Sequence, residues 1–202
     1  CTYILYCPMD EAIDKEPNEK KKRQKIKAKV KQFAETMKTM DEGKVKPNNI
    51  IILNAGIKPY EFITYLRRNC EELSIKSKWI MEYISKDYLE GLSKKQSDFL
   101  CISLAIKKVS SIYFSIFYAG DVVPDNYLYE IDKLINDDLK KVLMVYPESS
   151  SYSGCLIQRL VYKQYTGEAL KSEDFIQQMK QEIESQKCQH MIYNLKDIVK
   201  NQ

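Results

Sequence analysis

Mostly apolar runs of strand length recur along this chain. They span Thr2–Cys7, Asn49–Leu53, Ile112–Tyr118 and Lys141–Tyr146, and each is followed closely by a proline or a glycine. Asn49–Leu53 is apolar at every position after its first, which is typical of a strand covered on both faces. These runs predict four buried strands.

Between the strands, apolar residues recur at helical spacing. The pattern predicts helices over Lys20–Met40, Pro59–Arg68, about Lys94–Val109, Asn126–Asn136 and Glu173–Gln186. Pro59 suits a first helical turn, and Ser93 suits an N-cap. Asp10–Glu19 is polar and holds Pro17, which predicts a loop. All six glycines lie at predicted boundaries, where positive φ or close backbone approach is expected, with plain turn chemistry sufficient at Gly43.

Ile75–Ile84 is compatible with a strand or with the start of a helix, and the tail Met191–Val199 is equally open. Elsewhere strands and helices alternate. Alternation favours an α/β fold, so we expect one domain with a mostly parallel central sheet flanked by helices.

Composition supports a folded chain with a real core. Of 202 residues, 44% are hydrophobic, and no apolar run reaches the length of about 20 residues that a membrane-spanning helix needs. The first residues lack a signal-peptide pattern, so we expect a cytoplasmic location. Because the chain starts at Cys1 rather than Met, we expect it to be a fragment.

The net charge of +4 is partly local, because Glu19–Lys31 holds eight lysines and arginines. Such a run can bind phosphate, nucleic acid or a membrane surface. No aromatic residues interleave with it as a stacking platform would need, so we interpret it as the solvated face of a helix and expect no nucleic-acid partner. The six cysteines form no CxxC pair and His190 is the only histidine, which disfavours zinc and favours reduced cysteines.

Polar residues that follow the predicted strands are the candidates for chemistry. Asp121, after Gly120, could hold a divalent cation, since open α/β sheets bind ligands beyond the carboxyl ends of their strands. A turn or capping aspartate is the structural alternative. Asn54 could contact a base or ribose with Gly56 beside it, or could form an Asx turn. Asp10 holds the same relative place after the first strand.

Two further pairs open predicted helices. Lys94 and Lys95 combine cationic side chains with helix amides, which suits a phosphate, although solvated lysines would look the same. Glu173 and Asp174 could supply a general base, although acidic residues are also common in a first helical turn.

The order of these segments resembles the nucleotide-diphospho-sugar glycosyltransferases of the GT-A fold, nearest to the inverting family two. The matching segments are NIIILNAG (Asn49–Gly56), GLSKKQSDF (Gly91–Phe99), FSIFYAGDVVPDNYLYEI (Phe114–Ile131), YSGCLIQRLVYKQYTGE (Tyr152–Glu168) and SEDF (Ser172–Phe175). The resemblance covers roughly Asn49–Met179, with Thr2–Asp10 as the first strand.

The resemblance implies a Rossmann-related GT-A-like domain with a nucleotide-binding half over about 1–123 and an acceptor half over about 124–202. Asp10, Asn54, Gly56, Lys94, Lys95 and Gly120 would bind the nucleotide-diphosphate part of a UDP- or dTDP-linked sugar. Asp121 would hold Mn²⁺ or Mg²⁺, and Asp174, with Glu173 beside it, would be the catalytic base that deprotonates a glycan or other hydroxyl acceptor. The expected activity is a hexosyl or deoxyhexosyl transfer with inversion.

Three departures from the family pattern affect these expectations. Ala119 stands where the metal motif usually has its first aspartate, and Asn54 stands where an acid is usual. No Gln/Arg-x-x-Arg-Trp motif follows Asp174, so processive polymer synthesis is not expected. A degenerate domain that binds nucleotide sugars weakly or not at all is therefore an open alternative.

A second alternative belongs to a different class. IKSKWIMEYISKDYLEG, from Ile75, resembles the last helix of a BRCT domain, and Leu170–Met179 is a weak echo of it. Two such repeats would fit the length and would predict a phosphopeptide-binding module of a nuclear protein. Both halves lack the Gly-Gly turn of that family.

Overall fold

The structure, a computed structural model, describes residues 1–74, 79–136, 142–146, 153–163, 175–186 and 192–196. In the described part of the chain, seven strands form one sheet: β1 (Thr2–Pro8), β2 (Asn49–Ala55), β3 (Trp79–Ile84), β4 (Tyr113–Tyr118), β5 (Met144–Tyr146), β6 (Cys155–Gln158) and β7 (Ile192–Asn194). The α-helices of this part include α1 (Glu11–Asp14), α2 (Glu19–Glu42), α3 (Pro59–Asn69), α4 (Lys94–Ile106), α5 (Tyr127–Asn136) and α6 (Phe175–Ser185). The expected α/β class with flanking helices is confirmed.

The strand order is β3-β2-β1-β4-β6-β5-β7. The first four strands in this order run parallel, with Thr2 paired to both Asn49 and Phe114. β6 runs antiparallel to both of its neighbours, and β5 and β7 are parallel. The sheet is therefore mostly parallel, as expected, with one reversed strand that the sequence pattern left unassigned.

Alternate residues of the central strands pack on opposite faces of the sheet. Tyr3, Leu5, Ile50 and Ile52 lie on the face covered by α2, α3 and α5, with Phe33 and Phe62 between helices. The other face carries Ile4, Tyr6, Ile51 and Leu53 and is covered by α4 and α6. Burial of β1 and β2 on both faces explains their unbroken apolar sequences.

Several predicted boundaries need correction. The predicted loop Asp10–Glu19 contains the short helix α1, and α4 ends at Ile106 rather than Val109. The ambiguous segment Ile75–Ile84 contains β3, and its first four positions lie outside the described residues. In the predicted strand Lys141–Tyr146, the part that forms β5 starts at Met144.

Candidate functional site

The chain order of the central strands creates a switch point in the sheet. After β1 the chain adds β2 and β3 on one side, and β4 then lies on the other side of β1. In open α/β sheets the crevice for ligands lies beyond the carboxyl ends of the strands at such a point. Pro8, at the end of β1, and Tyr118, at the end of β4, are therefore the expected borders of a site.

A cleft of about 710 Å³, here called the strand-end cleft, opens in this region on the α4 side of the sheet. Its floor is the end of β1 and β2, one wall is the α1 segment, and the other is the connection from β3 into α4. Its lining comprises Tyr6, Pro8, Met9, Asp10, Glu11, Asp14, Lys15, Ala55, Gly56, Lys86, Leu89, Glu90, Gly91, Leu92, Ser93, Lys94, Ser97 and Asp98. Such a volume is ordinary for a small-molecule site.

Ion pairs hold the α1 wall in place. Asp14 of α1 pairs with Lys86, in the turn after β3, at 2.8 Å, and this pair joins the two walls of the cleft. Asp10 pairs with Lys29 of α2 at 3.1 Å, and the Lys29 side chain is only 12% exposed. Lys15 pairs with Glu11 within the wall itself.

The basic run at the start of α2 has a structural role that its sequence did not reveal. Lys22 donates to the Asp14 carbonyl at 3.3 Å, and Lys25 donates to the Glu16 carboxylate at 2.6 Å. Together with Lys29, these lysines lie at helical spacing and fasten the connection between β1 and α2. The run is thus not only a solvated helix face, because part of it shapes the cleft.

Gly56 lies on the floor of the cleft with φ +88°, and its amide donates to the Ile84 carbonyl at 2.9 Å. A Cβ at this position would come within 2.8 Å of the Met9 Cβ. The predicted close backbone approach at Gly56 therefore occurs between the β1 and β2 ends.

The opening turn of α4 forms the opposite wall. Ser93 caps the helix by accepting from the Gln96 amide, and the Gln96 side chain accepts from the Ser93 amide. Lys94 is exposed and lines the cleft, whereas Lys95, also exposed, is not part of the lining. A positively charged side chain therefore lies at the N-terminus of α4 in the cleft, as expected, and it is that of Lys94.

Asp98 lies at the inner end of the cleft, on the second turn of α4, and is 8% exposed. The hydroxyl groups of Tyr6 and Tyr118 lie beside its carboxyl group, and each acts to lower the pKa of that group as a hydrogen-bond donor would. The two tyrosine rings contact each other edge to face, with centroids 5.3 Å apart. Burial raises the pKa of the Asp98 carboxyl, although the two hydroxyl groups and the charges of Lys94 and Lys29 oppose this shift.

The sequence patterns did not single out Asp98, Tyr6 or Lys29. A signal for Asp98 was present, because it occupies the same helical stripe as the buried residues Ile102 and Ala105. A carboxylate on the apolar face of a helix needs partners or a function.

Asn54 does not lie in the cleft lining. By strand alternation its side chain is on the opposite face of the sheet, beside Cys7, where its Nδ2 donates to the Ile57 carbonyl at 2.7 Å. Its Oδ1 is buried and has no partner within the described residues. The geometry is that of a turn residue, and it places Asn54 away from any ligand in the cleft.

Gly120 and Asp121 lie at the end of β4, also outside the cleft lining. The Gly120 amide donates to Thr36 Oγ1 at 2.9 Å, which ties this turn to α2. Asp121 Oδ2 accepts from the Tyr118 amide and from the Ser153 hydroxyl, while its Oδ1 accepts no hydrogen bond from the described part of the chain.

These contacts provide a poor fit for a tightly held metal ion. The Ala119 side chain has no ligating atom, and one oxygen of Asp121 is used by the turn. Within the described ranges, no three His, Cys, Asp or Glu residues come together as a metal site would require. A cation at Asp121 would depend on Oδ1 and on oxygens supplied from outside these residues.

The catalytic candidates Glu173 and Asp174 lie outside the described residues, as does most of the Ser172–Phe175 segment. Of the predicted binding residues, Asp10, Gly56 and Lys94 surround one cleft. Lys95 lies one position beyond its wall, and Asn54, Gly120 and Asp121 lie outside its lining.

No known protein family matches this chain, and no curated protein matches it either. Among the described helices, none combines the length and apolar character required to cross a bilayer.

Proposed function

We propose that the chain is a glycosyltransferase that binds a nucleotide-diphosphate sugar in the strand-end cleft and transfers the sugar to an acceptor hydroxyl. The observation that carries this proposal is the cleft itself, which lies at the carboxyl ends of β1 and β2 beside the switch point of the sheet. Nucleotides bind at this place in open α/β folds.

The arrangement of the motifs supports the proposal. Three segments far apart in sequence were expected to form the nucleotide half of a GT-A-like domain: the end of the first strand, NIIILNAG and GLSKKQSDF. Each contributes to the same cleft, through Asp10, Gly56 and Lys94 respectively. Lys94 and the first amides of α4 would attract the diphosphate.

The transfer step follows the resemblance to inverting enzymes. The acceptor oxygen forms a bond to the anomeric carbon, the bond from that carbon to the diphosphate oxygen breaks, and Asp174 takes the acceptor proton. The nucleoside diphosphate leaves with the bonding electron pair. In the described part of the chain, Asp121 offers a metal ion one oxygen, Oδ1, that accepts no hydrogen bond there. The transfer step is therefore written without Mn²⁺ or Mg²⁺.

Nucleotide binding provides the first test. UDP and dTDP, each with and without Mn²⁺, are expected to raise the melting temperature of the protein, and a phosphopeptide panel is expected to leave it unchanged. Stabilisation by phosphopeptides alone would contradict the proposal. An Asp121→Ala variant with unchanged Mn²⁺-dependent stabilisation would exclude Asp121 as a metal ligand.

Sugar transfer provides the second part of this test. A folded Asp174→Asn variant is expected to keep nucleotide binding and to lose transfer, because an amide cannot accept the acceptor proton. Near-normal turnover would remove Asp174 from the mechanism. Glu173→Gln is the matched control at the adjacent position, and we expect it to be the milder change.

Nothing in the described fold favours the tandem BRCT alternative. That alternative needs a helix over the segment around Trp79, where the structure has β3, and it needs two separate repeats. The described strands of both chain halves instead belong to one sheet.

A further inference from the structure

Asp98 is the one carboxyl group in the cleft lining that is more than nine-tenths buried. Its neighbours in the lining, Ser97 and Lys94, are more exposed. A carboxyl group is costly to bury unless its oxygens are well supplied with donors. Its position at the inner end of a cleft therefore calls for a chemical explanation.

Two tyrosines flank the carboxyl group of Asp98. Tyr6 projects from β1 and Tyr118 from β4, so the carboxyl group lies beside the two strands that border the switch point. The Tyr6 side chain is almost completely buried, and its ring packs against that of Tyr118. Both hydroxyl groups belong to strands of the sheet, so the surroundings of the carboxyl group are preorganised.

Two tyrosine hydroxyl groups cannot use the full hydrogen-bonding capacity of the carboxyl group. An ionised carboxylate offers about four acceptor positions and no donor. Two hydroxyl groups can fill at most two of these positions, so acceptor capacity remains on a group that lines the cleft. A ligand atom at this place would have to be a hydrogen-bond donor.

We propose that Asp98 selects the nucleobase by accepting the ring N–H of uracil or thymine, a donor that guanine shares and that neutral cytosine and adenine lack. This inference rests on the proposed function, because it needs a nucleotide in the strand-end cleft. It assigns the base to the inner end, between Tyr6 and Ser97, and leaves the mouth near Lys94 for the phosphates.

Selectivity for uracil over cytosine follows because a buried carboxylate without a hydrogen-bond donor facing it is unfavourable. Cytosine presents an unprotonated ring nitrogen where uracil presents N–H, so its lone pair would face a buried carboxylate. A site built to bond a donor strongly rejects a ligand that lacks it. Uracil and cytosine are nearly the same size, so shape alone would not separate them.

The test compares UDP with CDP by isothermal titration calorimetry on the full chain, with GDP and ADP as a second matched pair. We expect UDP to bind about ten- to a hundredfold more tightly than CDP, the range for one hydrogen bond to a charged group. In Asp98→Asn, whose amide can also donate, the UDP to CDP ratio is expected to fall towards one. Glu90→Gln, an acid at a more exposed position of the lining, is the control and should keep the ratio.

The outcomes separate this inference from the proposed function. Equal binding of UDP and CDP by the unmodified chain overturns the role of Asp98 while leaving nucleotide binding intact. An Asp98→Asn variant that loses affinity for both ligands equally would indicate a purely structural residue and would also overturn it. If none of the four nucleotides binds the unmodified chain, the proposed function fails and the inference fails with it. The unmodified chain provides the ratio even if the variant does not fold.

Discussion

At the scale of single residues, the site depends on side chains whose roles are visible only through their neighbours. Asp98 and Asp121 are both aspartates close to strand ends, yet Asp98 faces a cleft while Asp121 binds its own turn. Asn54 lies near the end of β2 and Gly56 directly follows that strand, yet only Gly56 lies in the lining. Residue type and chain position singled out Asp121, Asn54 and Gly56, whereas only the contacts of the fold made Asp98 a candidate.

Gly56 allows a stability test with an internal control. Gly56→Ala places a methyl group 2.8 Å from the Met9 Cβ at φ +88°, whereas Gly91→Ala meets φ +79° with nothing within 4 Å. The left-handed conformation costs an alanine about 1–2 kcal/mol at either site. Chemical denaturation should therefore show a larger loss for Gly56→Ala. Equal losses would mean that Met9 moves aside freely.

At the scale of elements, α2 does more than cover the sheet. Its lysines fasten the α1 wall, and its last turns hold the segment after β4 through two threonines. Thr36 Oγ1 accepts from the Gly120 amide, and Thr39 Oγ1 accepts from the Val123 amide at 3.0 Å. The helix thus positions both borders of the switch point.

Removing the Thr39 hydroxyl tests this role of α2. Thr39→Val keeps the side-chain shape and leaves the amide of buried Val123 without its acceptor, which should cost about 1–3 kcal/mol of unfolding free energy. Hydrogen exchange at the Val123 amide should accelerate. Thr64→Val on α3 is the control, since the Thr64 hydroxyl has no hydrogen bond within the described residues. Comparable losses of unfolding free energy in both variants would argue against a role of Thr39 in holding the segment after β4.

Helix and strand boundaries were largely predictable from sequence because they depend on local chemistry. The Ser93 cap, Pro59 in the first turn of α3 and the glycine at the end of β2 act within a few residues of themselves. The antiparallel direction of β6 was not predictable, because a short apolar run has the same period in either direction. Neither was α1, whose four residues carry little periodic signal.

At the scale of the whole molecule, the fold gives two carboxyl groups opposite responses to pH. Burial raises the pKa of Asp98, which faces Tyr6, Tyr118, Lys94 and Lys29. Burial also acts on Asp41, but hydrogen bonds from Ser74 and Lys46 outweigh it and lower the pKa of that carboxyl.

Linkage turns these shifts into a test. A carboxyl group whose pKa is higher in the folded than in the unfolded state stabilises the folded state at pH values below its unfolded pKa, about 3.9. This stabilisation is lost as the pH rises through the pKa of the folded state. The stability of the unmodified chain relative to Asp98→Asn should therefore decline above about pH 4. Asp41 has a lowered pKa, so its advantage over Asp41→Asn should be present at neutral pH and be lost as the pH falls below about 4. Urea unfolding from about pH 2 to 8 measures both differences in unfolding free energy. Differences that change with pH in the same direction for the two variants would contradict these pKa shifts.

The sequence by itself determined the α/β class, most of the helices and strands, and the segments that approach the cleft. It could do so because hydrophobic period, caps and turn residues act over short distances along the chain. Only the tertiary structure decided that Tyr6, Asp98 and Tyr118 meet, that β6 is reversed, and that Asp121 bonds Ser153. Those contacts join residues far apart in sequence, and they depend on strand order and on the face of the sheet to which each side chain points. The acidic residue at the end of β4 was visible in the sequence, and the buried acid that faces the cleft became a candidate only once α4 was packed on the sheet.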